Sequence, residues 1–143
     1  MTRAISKGER HSFEVPMTVP FYDLDPMQVV WHGNYLKYFD VARSALFDSL
    51  GVDLYSFQGE NSLIFPVVRT SLKYIHPLRH QDAFICKATL AEARFKIVVD
   101  FEIRLAESGL VCTQGRGEQV AVKLPEMELL LGIPADLRRA MGF

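Results

Sequence analysis

One segment of this sequence alone has the length and period of a sustained helix, and the rest of the chain must be arranged around it. Tyr35, Phe39, Ala42, Leu46 and Leu50 recur at helical spacing, while Lys37, Asp40, Ser44 and Asp48 fall opposite. Asn34 is a candidate N-cap and Gly51 a natural left-handed stop. Tyr38 and Phe47 add aromatic bulk. A helix this apolar needs a cover, and a curved sheet is the simplest one.

The remaining segments supply strands. Across residues 13–21 the odd positions Phe13, Val15, Met17, Val19 and Phe21 alternate with polar or proline positions, which predicts a half-buried strand. Pro16 and Pro20 cannot donate to a ladder, so this strand belongs at a sheet edge or is interrupted. Four more strands are predicted at 65–75, 82–91, 97–105 and 110–122. The third has the cleanest alternation, with Ile97, Val99, Phe101, Ile103 and Leu105 set against Asp100, Glu102 and Arg104. Gly115 and Gly117 in the last one suggest a bulge or a close backbone approach. Strands joined by tight turns should lie as antiparallel neighbours. Residues 52–62 read as a connection, a short helix or a lid over a pocket. Residues 126–141 form a mildly amphipathic tail interrupted by Gly132 and Pro134. The expected class is α+β, in one domain spanning residues 1–143.

Bulk composition removes several functions. Sixteen basic and seventeen acidic residues nearly cancel, so no electrostatic case for nucleic acid exists. No apolar run reaches membrane-spanning length, and residues 1–10 are polar without the apolar centre of a signal peptide. A cytoplasmic protein with no membrane partner is expected. Cys86 and Cys112 sit in strand-like runs and read as reduced thiols. Four scattered histidines and two cysteines have no metal-ligand spacing, so no metal site is expected.

The chemistry concentrates at residues 21–35, Phe-Tyr-Asp-Leu-Asp-Pro-Met-Gln-Val-Val-Trp-His-Gly-Asn-Tyr. Two carboxylates there follow a strand and precede the helix. A carboxylate beside free helix N–H groups suits attack on a carbonyl: the acid drives the nucleophile and the N–H groups hold the oxyanion. Asp23 and Asp25 are one residue apart, so in extended chain they point to opposite faces. Asp23 reads as a structural hydrogen-bonding residue at the turn and Asp25 as the active group.

This stretch resembles the signature of the hotdog-fold acyl-CoA thioesterases of the 4-hydroxybenzoyl-CoA thioesterase type, D-x-D-P-x-x-V-V-W, an aromatic or His, then x-N-Y. Asn34-Tyr35-Leu36 and Ala42-Arg43 extend the likeness, and Pro77-Leu78 is a weaker echo. The resemblance implies the hotdog fold, a five-stranded antiparallel sheet wrapped around one long central helix. It implies hydrolysis of acyl-CoA or acyl-carrier-protein thioesters without a cofactor, coenzyme A being part of the substrate. It also implies a homodimer or homotetramer with active sites at the subunit interface. Asp25 then matches the catalytic carboxylate. His32 matches the helix-start residue whose backbone N–H binds the thioester carbonyl; in the Tol–Pal-associated branch its side chain is also implicated. Tyr35 matches a family tyrosine of more structural role. Trp31 and Tyr35 are candidates for lining the acyl pocket.

The chain departs from the pattern at three places. Gln28 stands where the family usually has Gly, and either points its amide at the acyl group or narrows the pocket. Phe21 stands where the Tol–Pal branch often has Tyr. His80-Gln81-Asp82 replaces the usual Gly-Asp after Pro-Leu. The residues leave open whether Asp25 attacks the thioester or serves as general base on water. A non-catalytic hotdog acyl-binding module and a hotdog dehydratase or hydratase are the alternatives. Arg79, His80, Arg94 and Lys96 are candidates for the phosphates of coenzyme A, each with surface solvation as the simpler role.

Overall fold

A computed structural model describes residues 11–143 of the chain; the polar segment 1–10 lies outside the described residues. Its order is β1 (Ser12–Thr18), a single 3-10 turn (Phe21–Asp23), α1 (Asn34–Ser49), α2 (Ser56–Asn61), β2 (Leu63–Ile64), β3 (Val67–Tyr74), β4 (Ala83–Glu92), β5 (Ile97–Leu105), β6 (Val111–Gln119), β7 (Val122–Lys123), β8 (Glu128–Leu129) and α3 (Ala135–Ala140). Five strands form one antiparallel sheet in the order β1-β4-β5-β6-β3. The small strands form a second sheet, β2-β7-β8.

The long helix lies against the large sheet, on the side of β1 and β4. The residues chosen by helical period, Tyr35, Phe39, Ala42 and Leu46, are buried there. They meet the inward rows of β4 (Phe84, Cys86, Ala88, Leu90) and β5 (Ile97, Val99, Phe101, Ile103). Each large side chain so buried contributes about 1.5–3 kcal/mol by removal from water. The opposite rows carry ion pairs across strands, as in Arg116 with Asp100 and Arg104 with Glu14. Phe39 stacks on Phe101 with 4.4 Å between centroids and 6° between planes. A Cβ on Gly115 would collide with that Phe39 ring, so the expected close backbone approach occurs here. The hotdog arrangement of sheet and helix is present as expected.

Several boundaries and pairings differ from the sequence reading. The first strand ends at Thr18, because Pro20 leads into the 3-10 turn, and Phe21 is exposed rather than inward. As expected, the proline-bearing β1 is an edge strand. Asn34 is not the N-cap: Gly33 occupies that place, and the Asn34 amide donates to the Asp23 carbonyl instead (2.9 Å). Gly51 does follow the helix at φ 69°. The strand expected over 65–75 is shortened to β3, which begins after Pro66, and the short β2 precedes it; the one over 110–122 is split into β6 and β7. The connection at residues 76–81 is not a hairpin. β3 pairs with β6 at one edge, whereas β4 pairs with β1 and β5. The tail supplies β8 and the short α3, and the connection after α1 contains α2. Cys86 and Cys112 are free and buried.

Candidate active site

The loop between β1 and α1 closes on itself before any side chain contributes. Leu24 and Val30 form an antiparallel bridge, and the chain reverses through Asp25-Pro26-Met27-Gln28. The Asp25 N–H donates to the Val29 carbonyl and the Gln28 N–H to the Asp25 carbonyl, both at 2.9 Å. Pro26 suits the second position of such a turn. Gln28 takes φ 65°, the left-handed region that favours glycine. The family's usual Gly at this place therefore has a local backbone reason, and Gln28 meets the same requirement with a side chain at the exposed tip. The returning limb is seated by the Val30 N–H on the Leu78 carbonyl (2.8 Å) and by a bridge from Val29 to Arg79.

Asp25 sits half-buried in this turn. Its Oδ1 accepts the Met27 N–H at 2.8 Å, an Asx-type bond that fixes the carboxylate. Among the described residues its Oδ2 has no hydrogen-bond donor.

Asp23 is placed quite differently. It is 3% exposed, and its carboxylate accepts from Lys37 Nζ and Tyr38 Oη, both at 2.6 Å. Its carbonyl accepts from the Trp31 N–H and from Asn34 Nδ2, both at 2.9 Å. One residue thus ties the loop to the first turns of α1 through backbone and side chain alike. Burial, then the neighbouring Asp23 carboxylate, raises the Tyr38 pKa, so this hydroxyl stays a donor across the ordinary pH range.

The helix start carries the remaining groups. Gly33 caps α1 without a side-chain cap bond. Among the described residues, the N–H groups of His32 and Gly33 meet no protein acceptor. Free N–H groups at a helix start carry partial positive charge and bind anionic oxygen. The half-exposed Trp31 ring covers Gly33 so closely that a Cβ there would collide with the indole. The exposed His32 ring lies 5.1 Å from that of Trp31, and the His32 carbonyl accepts from Tyr74 Oη at 3.0 Å.

Tyr35 belongs to the core. Its hydroxyl accepts the Leu78 N–H at 3.2 Å, its pKa is raised by burial, and its ring meets Tyr38 and Tyr74 edge-on. This buries a residue expected among the substrate-contacting groups and gives it the task of holding the β3–β4 connection.

A cavity of about 500 Å³ opens along the later half of α1, under α2 and beside β2. Phe47, Leu54, Leu63 and Phe65 give it apolar walls, and Arg43 and Gln119 polar ones. Arg43 pairs with Asp40, as its helical spacing suggests, and Gln119 Nε2 donates to the Phe65 carbonyl (2.9 Å). Asp25 and His32 do not line it. Lys96, a candidate phosphate contact, pairs with Glu118, while Arg79, His80 and Arg94 are exposed. Among the described residues no helix is long and apolar enough to cross a membrane, and no three His, Cys, Asp or Glu side chains are grouped to hold a metal.

Sequence reasoning missed Lys37, Tyr38 and Tyr74. The first two had a visible signal: with Asn34 they share one face at i, i+3 and i+4, and that face turns back on Asp23. Tyr74 had none, because its role depends on where β3 joins the sheet.

Comparisons with known proteins agree with this arrangement. The family model described as the Thioesterase superfamily matches residues 27–112. The chain is 30% identical over 94 residues to a putative acyl-CoA thioesterase, YneP of Bacillus subtilis, covering 65% of this chain and 67% of that protein. It is 25% identical over 130 residues to the acyl-CoA thioesterase YbgC of Haemophilus influenzae, covering 91% and 94%. In fold it is similar to a 1,4-dihydroxy-2-naphthoyl-CoA thioesterase from Synechocystis, with TM-score 0.81, 22% identity, and coverage of 92% of this chain and 96% of that one. It is likewise similar to the 4-hydroxybenzoyl-CoA thioesterase of Pseudomonas sp. strain CBS-3, with TM-score 0.79, 19% identity, and coverage of 91% and 99%.

Proposed function

Because the chain belongs to the thioesterase superfamily, we propose that it hydrolyses acyl-CoA thioesters to a free acid and coenzyme A, with Asp25 as the reacting carboxylate. The observation that carries this reading is the pinned Asp25, one oxygen held by Met27 and the other uncommitted among the described residues, in the loop that ends at a helix start with two N–H groups unpaired among those same residues. As general base, Asp25 removes a proton from water while the water oxygen attacks the thioester carbon. The C–S bond then breaks, and the departing sulfur takes that proton from Asp25 and leaves as the thiol of coenzyme A. As nucleophile, Asp25 attacks the thioester carbon and forms a mixed anhydride as the C–S bond breaks and the coenzyme A thiolate leaves; water then opens the anhydride, releasing the acid and restoring Asp25. In both routes negative charge develops on the carbonyl oxygen, and the His32 and Gly33 N–H groups supply its counterpart. His32 acts through its backbone in this reading. Trp31 and Gln28, at the exposed surface around the loop, are placed to meet the substrate. Neither route uses a metal or a resident cofactor.

We read the working unit as a homodimer built on β3. This eight-residue strand is an edge of the large sheet, exposed along nearly its whole length. An uncovered edge of this kind pairs readily with a second copy. Two-fold antiparallel pairing sets the Val67 end of one strand beside the Tyr74 end of the other. The cavity beside Phe65 would then lie next to the partner copy's helix start, joining an acyl-sized space to Asp25. A mass of two chains in solution supports this reading, and a monomer at full activity would remove it.

The test of function is free-thiol release from aryl, short-chain and long-chain acyl-CoAs, and from the matching acyl-carrier-protein thioesters. Wild type should release thiol, and folded Asp25→Asn should do so more than tenfold more slowly. Equal turnover by the two proteins would sink the role of Asp25. Binding without turnover by either would replace hydrolysis with an acyl-binding function.

A further inference from the structure

Tyr74 connects two parts of the molecule that the sequence keeps 42 residues apart. It is the last residue of the edge strand β3, and its hydroxyl donates to the His32 carbonyl at 3.0 Å. Its ring is held independently of that bond, edge-on to Tyr35 at 5.3 Å and to His32 at 6.5 Å between centroids. Tyr35 is itself fixed by the Leu78 N–H, and the Leu78 carbonyl holds Val30 of the active-site loop. The half-exposed Tyr74 ring is therefore packed against a side chain tied to the same loop.

The His32 carbonyl belongs to the same planar peptide as the Gly33 N–H. A donor on the oxygen of a peptide polarises the whole unit and makes its N–H a stronger donor, by about 10–30% per bond. It also fixes the plane of the peptide. The Gly33 N–H meets no protein acceptor among the described residues, and the Trp31 ring packs against Gly33. We propose that Tyr74 is a positioning residue for the thioester reaction: through its bond to the His32 carbonyl it orients and polarises the His32–Gly33 peptide, whose N–H receives the developing oxyanion. The inference rests on the hydrolytic reading above and adds a residue to it. It also makes the edge strand on which a second copy would pair part of the support of the oxyanion site.

Tyr74→Phe tests this, because it keeps the ring and removes only the hydroxyl. Outright loss of an oxyanion donor costs about 10²–10³ in kcat. Loss of a bond one peptide removed should cost less, about three- to tenfold in kcat. KM should stay within about twofold and thermal stability close to wild type, because the bond matters most when charge develops. The Gly33 amide ¹⁵N resonance should shift more than any amide outside the reach of the ring. Unchanged kcat in the folded variant overturns the proposal. So does a raised KM at full kcat, which would make Tyr74 a substrate-contact or docking residue. If wild type hydrolyses no thioester, the hydrolytic reading fails by itself. The Gly33 resonance then still decides whether Tyr74 acts on this peptide, and an unmoved resonance refutes it.

Discussion

Removing the Asp23 carboxylate tests how the loop between β1 and α1 is held. In Asp23→Ala the Lys37 and Tyr38 bonds disappear, while the two bonds to the residue 23 carbonyl remain available. The consequences for the two partners are unequal. Lys37 is half-exposed and turns into water, so its share is about 1 kcal/mol or less. Tyr38 is 4% exposed and cannot reach water, so its hydroxyl is left buried without an acceptor, at a cost of about 1–3 kcal/mol. The sum is about 1–4 kcal/mol, measured as a lower urea midpoint at fixed protein concentration with an unchanged m-value. The orphaned hydroxyl gives the argument a sign that can fail. Removing it as well, in Asp23→Ala/Tyr38→Phe, should restore about 1 kcal/mol relative to Asp23→Ala. A double variant no more stable than Asp23→Ala, or a single variant within about 0.5 kcal/mol of wild type, refutes the account. The carboxylate would then be solvated or otherwise satisfied.

Gly115→Ala should destabilise by about 1–3 kcal/mol, because the new methyl meets a Phe39 ring already stacked on Phe101; thermal unfolding checks it, and an unshifted midpoint would mean that the ring has room to move. Burial pushes the Cys86 thiol up to about 12, leaving about one thiolate in ten thousand at pH 8. A thiol reagent should therefore leave Cys86 and the equally buried Cys112 unmodified in the folded protein and modify both after denaturation. Rapid native labelling of Cys86 would contradict its burial.

The parts legible in the sequence were those with strong local period. The strand over residues 97–105 was read to its boundaries, and the apolar face of α1 to within a residue, because alternation and helical spacing are properties of neighbours. What failed depended on distant partners. β3 and β4 are separated by a turn-like segment, yet β3 has exposed residues on both faces and finds its ladder on β6, about forty residues later. Asn34 has the chemistry of an N-cap, but a carbonyl in the preceding loop takes its amide. The motif pointed to the loop between β1 and α1, and Asp23 and Asp25 could be set in different environments from their spacing. The partners of Asp23 required knowing that the loop folds back along the helix. The left-handed backbone at Gln28 lay outside any local rule, since only the closed turn shows why glycine is usual there.

The strand order has a consequence for how the chain comes into being. β1 waits for β4 and β3 waits for β6, so neither outer strand has a ladder partner in the large sheet among the described residues made before it. While the ribosome is still short of residue 83, the apolar side of α1 lacks the inward rows of β4 and β5 that bury it in the finished fold. Once β4, β5 and β6 emerge as a local meander, they supply the template on which both earlier strands settle. A chain stopped before β4 should therefore be a client for chaperones or proteases rather than a smaller folded protein.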